Sequence, residues 1–317
     1  MPWREFQRLQ IVSRVHDRFV SYVEAGDGPP VILIHGIPVW GYLWHGIYSE
    51  LARTRRVLIP DLLGFCFSDK ADCFDRSIAC QAQMITSWMT QLGISRATII
   101  GHDIGGGVAL RMASLFPARV EALIVMNTVC YDSWPIELML QFGHPEAHRK
   151  LSASLAVRLF RQALKRGFAS SRHRKVLDGL LAPYTTETGK LSLIRNAAAL
   201  NTNLTTEISH LLSGIRIPTL VLWGVEDAFQ PIHYGERLVK DIHDSRLIRV
   251  KDAKHFLMWD QPEIVTKHLL VFSNNLFLLW GPCHTHRRHR SSRSDCQNPR
   301  SFGLAHQSPT PCTGPDL

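Results

Sequence analysis

Short, largely apolar runs along the chain predict where buried strands lie. These runs occupy residues 31–34, 57–59, 98–100, 122–126, 219–223 and 247–250. Each has three to five residues and is rich in Val, Ile or Leu. Because most of the runs are continuously apolar rather than alternating, they predict strands that are buried on both faces, as in a parallel sheet.

Stretches with the spacing of amphipathic helices lie between these runs. Residues 78–92 and 108–115 are the clearest examples in the first half, and a final helix is expected from residue 262 towards residue 272. This alternation of strand and helix predicts an α/β fold with a mostly parallel sheet and helices on both of its faces.

The alternation stops between residues 133 and 212, where only helical patterns occur. We therefore expect an α/β core formed by residues 1–132 and 213–280, with a helical cap inserted at 133–212. From Gly281 onward the composition changes, and the last 37 residues include five Pro, five Ser, five Arg and four His. Such a segment buries too little apolar surface to fold, so a disordered tail is expected at 281–317.

The overall composition is that of a globular protein. Of the 317 residues, 45% are apolar and 20% are charged, both near the average for folded domains. No stretch of about 18 apolar residues is present, so no membrane span is expected, and the first ten residues lack the apolar segment of a secretory signal. Seven cysteines, an odd number without CxxC pairs, favour reduced thiols in a cytoplasmic protein.

The net charge of +9 comes from two segments of the chain. Residues 133–212 carry 11 basic and 5 acidic side chains, and the tail carries 5 and 2. A basic chain can bind nucleic acid, but no nucleic-acid motif accompanies this charge, which favours a solvated basic face. The tail residues Cys283, His284, His286 and His289 lack the paired spacing of zinc ligands, so no metal site is expected.

The segment 99–107, Ile-Ile-Gly-His-Asp-Ile-Gly-Gly-Gly, has the pattern of a sharp turn between a buried strand and a helix. It matches the nucleophile elbow G-x-S-x-G, with Asp103 in the place of the serine. Glycines flank such a turn because its strained backbone leaves no room for side chains. The helix N-terminus that follows favours an anion. Asp103 is therefore a candidate nucleophile, and the alternative from this segment alone is that Asp103 merely caps the helix.

Two further polar residues follow strands that are expected later in the chain. Asp227 comes just after the run at 219–223, and His255 comes just after the run at 247–250. The order Asp103, Asp227, His255 is that of nucleophile, acid and histidine in α/β-hydrolases. Because ligands bind outside the carboxyl ends of the strands of an open parallel sheet, these three side chains are expected to meet there as a catalytic triad.

A loop that can stabilise negative charge is expected beside Asp103. His35-Gly36-Ile37-Pro38 directly follows the first predicted strand. A tight loop at this point can aim a backbone N–H at the site, so the N–H groups of Ile37 and Ile104 are the candidates for an oxyanion hole. A simple turn that ends the strand is the alternative.

Five motifs support a resemblance that covers about residues 17–275. They are HGIP at 35–38, DLLGFCFSDK at 61–70, GHDIGG at 101–106, WGVED at 223–227 and HFLMWDQPE at 255–263. Together they resemble the α/β-hydrolase superfamily, specifically its aspartate-nucleophile branch, which includes epoxide hydrolases, haloalkane dehalogenases and fluoroacetate dehalogenase. The resemblance implies a cap over the active site, and the helical insertion at 133–212 fits that role. One departure is Cys66, because such chains usually have glycine there.

An aspartate changes the chemistry that a nucleophile elbow can perform. A carboxyl group with an ordinary pKa of about 3.9 is ionised at neutral pH, so Asp103 needs no base before it attacks. It can displace a leaving group from saturated carbon and form an ester, which His255, oriented by Asp227, would hydrolyse with water. Attack on a carboxylic ester would give an anhydride instead, so Asp103 favours epoxides or alkyl halides. No cofactor is expected.

The leaving group separates these two substrate classes. The resemblance implies that a haloalkane dehalogenase would have a Trp after the nucleophile and often an Asn in the first loop, but Ile104 and Ile37 occupy those positions. Epoxide opening needs an acid, usually a tyrosine of the cap, and Tyr184 is the candidate, with Tyr131 at the edge of the cap. Other donors in this region are His144, His148 and His173. Candidates for the pocket wall are Trp40, Trp44 and Trp134.

The sequence therefore predicts an epoxide hydrolase-like enzyme that acts on a small, apolar or weakly anionic organic substrate. The alternatives within the same class are a haloalkane dehalogenase-like enzyme and another α/β hydrolase. An alternative of a different class is a non-catalytic binding protein that keeps the fold and the pocket. Neither a nucleic acid nor a membrane is an expected partner.

Overall fold

A computed structural model of the chain describes residues 1–279, and the side chains of residues 172–174 and 275–279 are outside this description. The tail predicted at 281–317 also lies outside the described residues. The strands of the described part are β1 (Ile11–Val15), β2 (Arg18–Ala25), β3 (Pro30–Ile34), β4 (Arg56–Pro60), β5 (Ala97–His102), β6 (Val120–Met126), β7 (Thr219–Gly224) and β8 (Ser245–Val250).

The eight described strands form one mostly parallel sheet in the order β1-β2-β4-β3-β5-β6-β7-β8. Strand β2 is antiparallel to its neighbours β1 and β4, and the strands from β4 to β8 pair in parallel. The central strands β3, β5, β6 and β7 are buried along almost their whole length, which is what their continuous apolar runs predict. The predicted α/β fold is confirmed.

The first two strands, β1 and β2, are not among the elements that the sequence predicted. Strand β1 lies at the edge of the sheet, and its sequence Ile-Val-Ser-Arg-Val mixes apolar and polar residues. Ile11 and Val12 are exposed on this edge, whereas Val15 is buried. An edge strand with one solvated face does not produce a continuous apolar run. The sequence of β1 therefore lacks the pattern by which the central strands were predicted.

Helices cover both faces of the sheet and fill the long connection between β6 and β7. The α-helices are α1 (Trp3–Arg8), α2 (Tyr48–Leu51), α3 (Ile78–Gln91), α4 (Ile104–Leu115), α5 (Glu137–Gly143), α6 (Pro145–Lys150), α7 (Ala153–Leu164), α8 (Leu177–Leu181), α9 (Glu187–Ala198), α10 (Asn203–Thr206), α11 (Ile232–Asp241), α12 (Leu257–Asp260) and α13 (Pro262–Leu279). Short 3-10 helices lie at Gly41–Trp44, Pro117–Arg119, Lys165–Gly167, Ser171–Val176, Ala182–Tyr184 and Ser209–Gly214.

The helical pattern predicted for residues 133–212 corresponds to the helices α5 to α10 and the 3-10 helices among them. We call this stretch, residues 137–214, the helical insert. Arg76 ties the insert to the loops that follow β4, because its Nη1 donates to Ser192 Oγ at 2.8 Å and to Asn196 Oδ1 at 2.9 Å. Its Nη2 donates to Lys70 O at 2.7 Å. Hydrogen bonds from a charged guanidinium are stronger than neutral ones, so this buried side chain holds α9 against the sheet domain.

Candidate active site

Asp103 stands at a sharp turn between β5 and α4, with φ 54° and ψ −124°. A positive φ at a residue other than glycine is uncommon and persists only where the surroundings enforce it. A Cβ on Gly105 would collide with the backbone oxygen of Ile34, and one on Gly101 would collide with the backbone of Gly105. The two glycines therefore allow β3, β5 and α4 to approach closely, which holds Asp103 at the carboxyl edge of the sheet.

Backbone N–H groups from two elements hold the carboxylate of Asp103. The N–H of Ile37 donates to Asp103 Oδ1 at 2.9 Å, and the hydrogen bond from the N–H of Ile104 also lowers the pKa of Asp103. Gly36 lies so close that a Cβ on it would overlap the Asp103 side chain. Both N–H groups expected from the sequence are thus directed at the carboxylate. Two such donors favour negative charge on a carboxylate oxygen.

His255 lies between the carboxylates of Asp227 and Asp103. Its Nδ1 donates a hydrogen bond of 2.9 Å to Oδ2 of Asp227, which fixes the orientation of the ring. Its Nε2 lies 3.7 Å from Oδ2 of Asp103, which is longer than a hydrogen bond. The structure therefore brings the three residues of the expected triad together, with Asp227 behind the histidine and Asp103 in front of it.

Asn127 is a residue of the site that the sequence reasoning missed. It follows β6 with φ 40°, its Nδ2 donates to Asp227 Oδ2 at 2.5 Å, and its Oδ1 accepts from the N–H of Gly224 at 3.0 Å. The N–H of Phe229 donates to the other Asp227 oxygen at 2.8 Å. These contacts fix the position of Asp227. The signal that located Asp227, a polar residue directly after a buried strand, is also present at Asn127.

His102 contacts both the backbone and the ring of His255. Its Nε2 donates to the backbone oxygen of His255 at 2.9 Å, and the centroids of the two rings are 4.5 Å apart. Its Nδ1 has no hydrogen-bond partner among the described residues. Burial, followed by the nearby charge of His255, lowers the pKa of His102 well below its ordinary value. The lowered pKa favours the neutral form of His102, which contacts the backbone of His255 and is absent from the described cavity lining.

Burial and charge act in opposite directions on the pKa values of the site. Burial is the largest influence on Asp103 and raises its pKa overall, although His255 and the N–H groups of Ile37 and Ile104 lower it. Burial alone would lower the pKa of His255, but Asp227 and then Asp103 outweigh it, so this pKa is raised overall. The carboxyl group of Asp103 is thus less acidic than the free carboxyl group considered in the sequence analysis.

A small cavity of about 40 Å³ opens beside Asp103 and His255. Its wall is mainly apolar and comes from both sides. The core contributes Ile37, Ile104 and Val129, and the insert contributes Leu138, Phe160 and Leu164. The helical insert therefore closes the site from above, and the cavity suits a small apolar molecule.

The three candidate tryptophans of the pocket wall are placed differently. Trp134 lines the cavity, and its Nε1 donates to Thr205 Oγ1 at 2.7 Å. Trp40 and Trp44 are fully buried in the core and are absent from the described lining. Trp40 instead donates from Nε1 to Gly179 O at 2.8 Å. For Trp40 and Trp44, core packing replaces the expected role in the pocket.

Tyr184 also lies outside the cavity lining that the structure describes. Its hydroxyl is 3.2 Å from Cys66 Sγ, and burial raises its pKa well above the ordinary value. A hydroxyl that is paired with Cys66 is not placed to protonate a leaving group beside Asp103. Tyr131 donates to Asp241 Oδ2 at 2.6 Å. Further proposed donors absent from this lining are His144 and His148, and the side chain of His173 is not described.

Among the side chains that the structure describes, no group of three or more His, Cys, Asp or Glu residues is arranged to hold a metal ion. The cysteine and histidine cluster at 283–289 lies outside the described residues. None of the helices that the structure describes is both long and apolar enough to span a bilayer.

The chain as a whole can be compared with known proteins. The family described as alpha/beta hydrolase fold matches residues 29–262. The chain belongs to this family. The predicted superfamily is therefore confirmed, and an aspartate at the nucleophile elbow fits the dehalogenase relatives described next.

Individual relatives are similar over most of the chain. Haloalkane dehalogenase 2 of Mycobacterium tuberculosis is 28% identical over 269 residues, which covers 79% of this chain and 90% of that protein. A cis-3-alkyl-4-alkyloxetan-2-one decarboxylase of Shewanella oneidensis is 23% identical and covers 80% and 84% of the two chains. The crystal structure of an alpha/beta hydrolase fold protein from Burkholderia ambifaria matches with a TM-score of 0.78 at 27% identity, over 83% and 97% of the two chains.

Proposed function

We propose that the chain is a hydrolase in which Asp103 forms a covalent ester with a substrate carbon, and that water activated by His255 cleaves this ester. The observation that carries the proposal is the environment of the Asp103 carboxylate. One oxygen accepts the N–H of Ile37 at 2.9 Å, and the other faces His255 Nε2 at 3.7 Å.

The proposed reaction has two steps, and both take place at the Asp103 carboxyl group. In the first step an Asp103 oxygen attacks the substrate carbon, and the leaving group departs with the bonding electrons. In the second step His255 accepts a proton from water, whose oxygen attacks the carboxyl carbon of Asp103. The N–H groups of Ile37 and Ile104 stabilise the oxyanion that develops, and Asp227 stabilises the protonated histidine. The oxyanion then collapses, the bond between the carboxyl carbon and the ester oxygen breaks, and the alcohol leaves with the proton that His255 returns, which restores the Asp103 carboxylate.

The cavity wall supports a small apolar substrate. A charged substrate that entered this cavity would lose its hydration and gain no polar partners from the apolar wall, which is unfavourable. The described lining is almost entirely aliphatic or aromatic apart from Asp103, His255 and Gln230. The reacting carbon of a bound substrate would therefore lie against an apolar wall.

A halide leaving group suits this cavity better than an epoxide oxygen does. Opened epoxides leave an alkoxide that needs a proton, and the described lining holds no tyrosine or lysine that could supply it. A halide is a weak base and needs only hydrogen bonds. The name of the haloalkane dehalogenase from Mycobacterium tuberculosis, 28% identical to this chain, agrees with this preference, so dehalogenation replaces epoxide hydrolysis as the leading proposal.

Epoxide hydrolysis is the second candidate, and the raised pKa of His255 favours it. A protonated His255 would donate its Nε2 proton to the alkoxide while Asp103 attacks. The neutral imidazole that results would then accept a proton from water in the hydrolytic step. In this route His255 is needed for both steps, whereas a halide substrate needs it only for the second.

The test uses a His255→Gln variant incubated with 1-bromobutane, styrene oxide and an alkyl-substituted oxetan-2-one. With the bromoalkane we expect intact-mass spectrometry to show one added butyl group on the peptide containing Asp103, because alkylation proceeds and hydrolysis is blocked. His255→Gln with Asp103→Asn is the matched control and should form no adduct. Hydrolysis of styrene oxide to the diol by the unaltered protein, with no adduct from any compound in His255→Gln, would favour the second candidate. A folded protein that neither turns over the substrates nor forms an adduct would favour a non-catalytic binding protein.

A further inference from the structure

The hydroxyl of Thr205 joins the two connections between the helical insert and the sheet. The chain enters the insert after β6, through Tyr131 and Trp134, and it returns towards β7 through α10. Trp134 Nε1 donates to Thr205 Oγ1 at 2.7 Å, and the same hydroxyl donates to Tyr131 O at 2.5 Å. Thr205 is 2% exposed, so both hydrogen bonds are shielded from water.

The hydrogen-bonding capacity of this hydroxyl matches the groups around it. A threonine hydroxyl has one proton to donate and two lone pairs that accept. Its proton serves Tyr131 O, with Thr202 O at 2.9 Å as the more distant acceptor, and a lone pair accepts the indole N–H of Trp134. The hydroxyl of Thr202 in turn donates to Trp134 O. We call these four residues, Tyr131, Trp134, Thr202 and Thr205, the linker clasp.

Contacts with the core hold the linker clasp in place. The hydroxyl of Tyr131 donates to Asp241 Oδ2 of α11 at 2.6 Å. Next to Thr205, the oxygen of Leu204 accepts a hydrogen bond of 2.6 Å from Arg111 Nη1. Arg111 belongs to α4, the helix that follows the candidate nucleophile. Thr205 is therefore anchored to the core, beside the element that carries the site.

The ring that Thr205 holds is part of the wall of the Asp103 cavity. Trp134 lines this cavity and is 4% exposed. The cavity has a volume of about 40 Å³, whereas pockets for larger organic ligands have roughly 300–1,000 Å³. A substrate with a long alkyl chain therefore fits only if part of the wall moves. Movement of the indole would break its hydrogen bond to Thr205, and a buried N–H without a partner is unfavourable.

We propose that Thr205 is a positioning residue that sets the preferred length of the substrate by holding the Trp134 ring in the cavity wall, an inference that rests on the function proposed above. Short haloalkanes react with the ring in place. Longer ones displace the ring, and the lost hydrogen bond slows their attack by Asp103. Thr205 is absent from the described cavity lining, so it acts on the reaction only through the indole.

The experiment measures kcat/KM for 1-bromohexane relative to 1-bromopropane in the full chain. Thr205→Val replaces the hydroxyl by a methyl group of similar size and removes the acceptor of the indole N–H. We expect this ratio to rise about fivefold, because displacement of the ring no longer breaks a hydrogen bond. Thr205→Ser keeps the hydroxyl and should keep the ratio of the unaltered protein. An unchanged ratio in a folded Thr205→Val protein would overturn the proposal.

A double-mutant cycle tests whether Thr205 acts through the indole. Trp134→Phe removes the N–H and should raise the ratio at least as much as Thr205→Val does. In the Trp134→Phe background, Thr205→Val should cause no further change. An equal effect of Thr205→Val in both backgrounds would come from a general loosening of the insert and would contradict the role of the indole. Thr205→Ala replaces Thr205→Val if thermal melting shows that the valine variant is unfolded.

Thr206 provides the matched control. It is exposed on the same short helix, and its hydroxyl donates to the backbone oxygens of Thr202 and Asn203 rather than to the indole. Thr206→Val should leave the ratio unchanged. The indole N–H resonance of Trp134, assigned by its absence in Trp134→Phe, reports the hydrogen bond by NMR without any substrate. It should move in Thr205→Val and stay in place in Thr206→Val, and a resonance that stays in place in Thr205→Val also overturns the proposal.

Failure of this inference is distinguishable from failure of the proposed function. Turnover of both bromoalkanes with a ratio that Thr205→Val does not change overturns the role of Thr205 but leaves the function of Asp103 standing. Absence of turnover with both bromoalkanes, and of any adduct on Asp103 in the His255→Gln protein, overturns dehalogenation itself and the selection of substrate length by Thr205 with it.

Discussion

Asn127 donates a hydrogen bond of 2.5 Å from its Nδ2 to Oδ2 of Asp227, across the carboxyl ends of the neighbouring strands β6 and β7. The same oxygen of Asp227 accepts the Nδ1 proton of His255 at 2.9 Å. Asn127 is not part of the described cavity lining. It acts on the reaction only through the acid, whose position determines the direction in which the imidazole faces.

Replacing Asn127 by glycine should slow ester hydrolysis by about tenfold, the effect of removing one hydrogen bond to a charged group. Adduct formation by Asp103 should be nearly unchanged, because a carboxylate attacks without help from the histidine. Glycine tolerates the φ of 40° at this position, so the variant removes the amide without adding backbone strain. Rapid-quench measurements with a haloalkane separate the two steps, and an equal loss in both would contradict this role.

The proximity of the three triad candidates could be predicted from the sequence because their locations depend on topology more than on packing. Asp103, Asp227 and His255 each follow a strand of a parallel sheet, and the carboxyl ends of such strands meet at one edge. A local apolar run followed by a polar residue is enough to place each of them. Asn127 follows the same rule and was missed because an amide has no role of its own in a triad.

The cavity wall could not be predicted in the same way. Trp40 and Trp134 are both tryptophans near the expected site, yet one is buried in the core and the other lines the cavity. Whether a tryptophan is buried in the core or lines the cavity depends on how the helical insert packs on the sheet. That packing cannot be predicted from a local sequence pattern. The same holds for Gln230 Oε1, which has no hydrogen-bond partner among the described residues, because its surroundings also depend on long-range packing.

Adduct formation should be lost as the pH falls, with a midpoint above the ordinary carboxyl pKa of about 3.9. Burial raises the pKa of Asp103, and a protonated carboxyl group is a poor nucleophile, so reactivity is present above this pKa and absent below it. In the His255→Gln variant the histidine no longer lowers the pKa of Asp103, so the midpoint should move further upward. The pH dependence of the alkylation rate measures both effects, and a midpoint at or below the ordinary value would contradict them.

Ester hydrolysis should also be lost as the pH falls, but through protonation of His255. Asp227 and Asp103 both raise the pKa of this histidine, and only the neutral form accepts a proton from water. In the ester intermediate Asp103 carries no charge, so part of this influence disappears. The midpoint for hydrolysis should therefore lie below the pKa of His255 in the free enzyme. Comparison of single-turnover hydrolysis with an NMR titration of His255 checks this, and coincident midpoints would exclude an influence of Asp103.

Tyr184→Phe should leave the rate of adduct formation within about twofold of the parent, because the hydroxyl contacts Cys66 rather than the cavity. The phenyl ring fills the same buried space, so the loss of stability should be modest, about 1 kcal/mol for one hydrogen bond. Alkylation rates with both a haloalkane and an epoxide are the measurement. A tenfold loss confined to the epoxide would restore Tyr184 as the acid that the sequence suggested.

Leu138 and Leu140 lie on the same helix, α5, but have different surroundings. Leu138 lines the Asp103 cavity, whereas Leu140 is 52% exposed and lines an outer groove of the insert. Leu138→Ala should enlarge the cavity and raise kcat/KM for 1-bromohexane relative to 1-bromopropane by about tenfold, because room for about two of the three additional methylenes contributes about 0.8 kcal/mol each.

Leu140→Ala is the matched control for this change, since it also shortens a leucine side chain of α5 but leaves the cavity wall unaltered. The ratio of the two kcat/KM values should not change in that variant. Thermal melting of both variants shows whether the helix remains folded. If Leu138→Ala left the ratio unchanged while folded, then α5 would not form the wall of the site during the reaction. If both variants shifted it equally, the effect would come from loosening the insert and not from the volume beside Asp103.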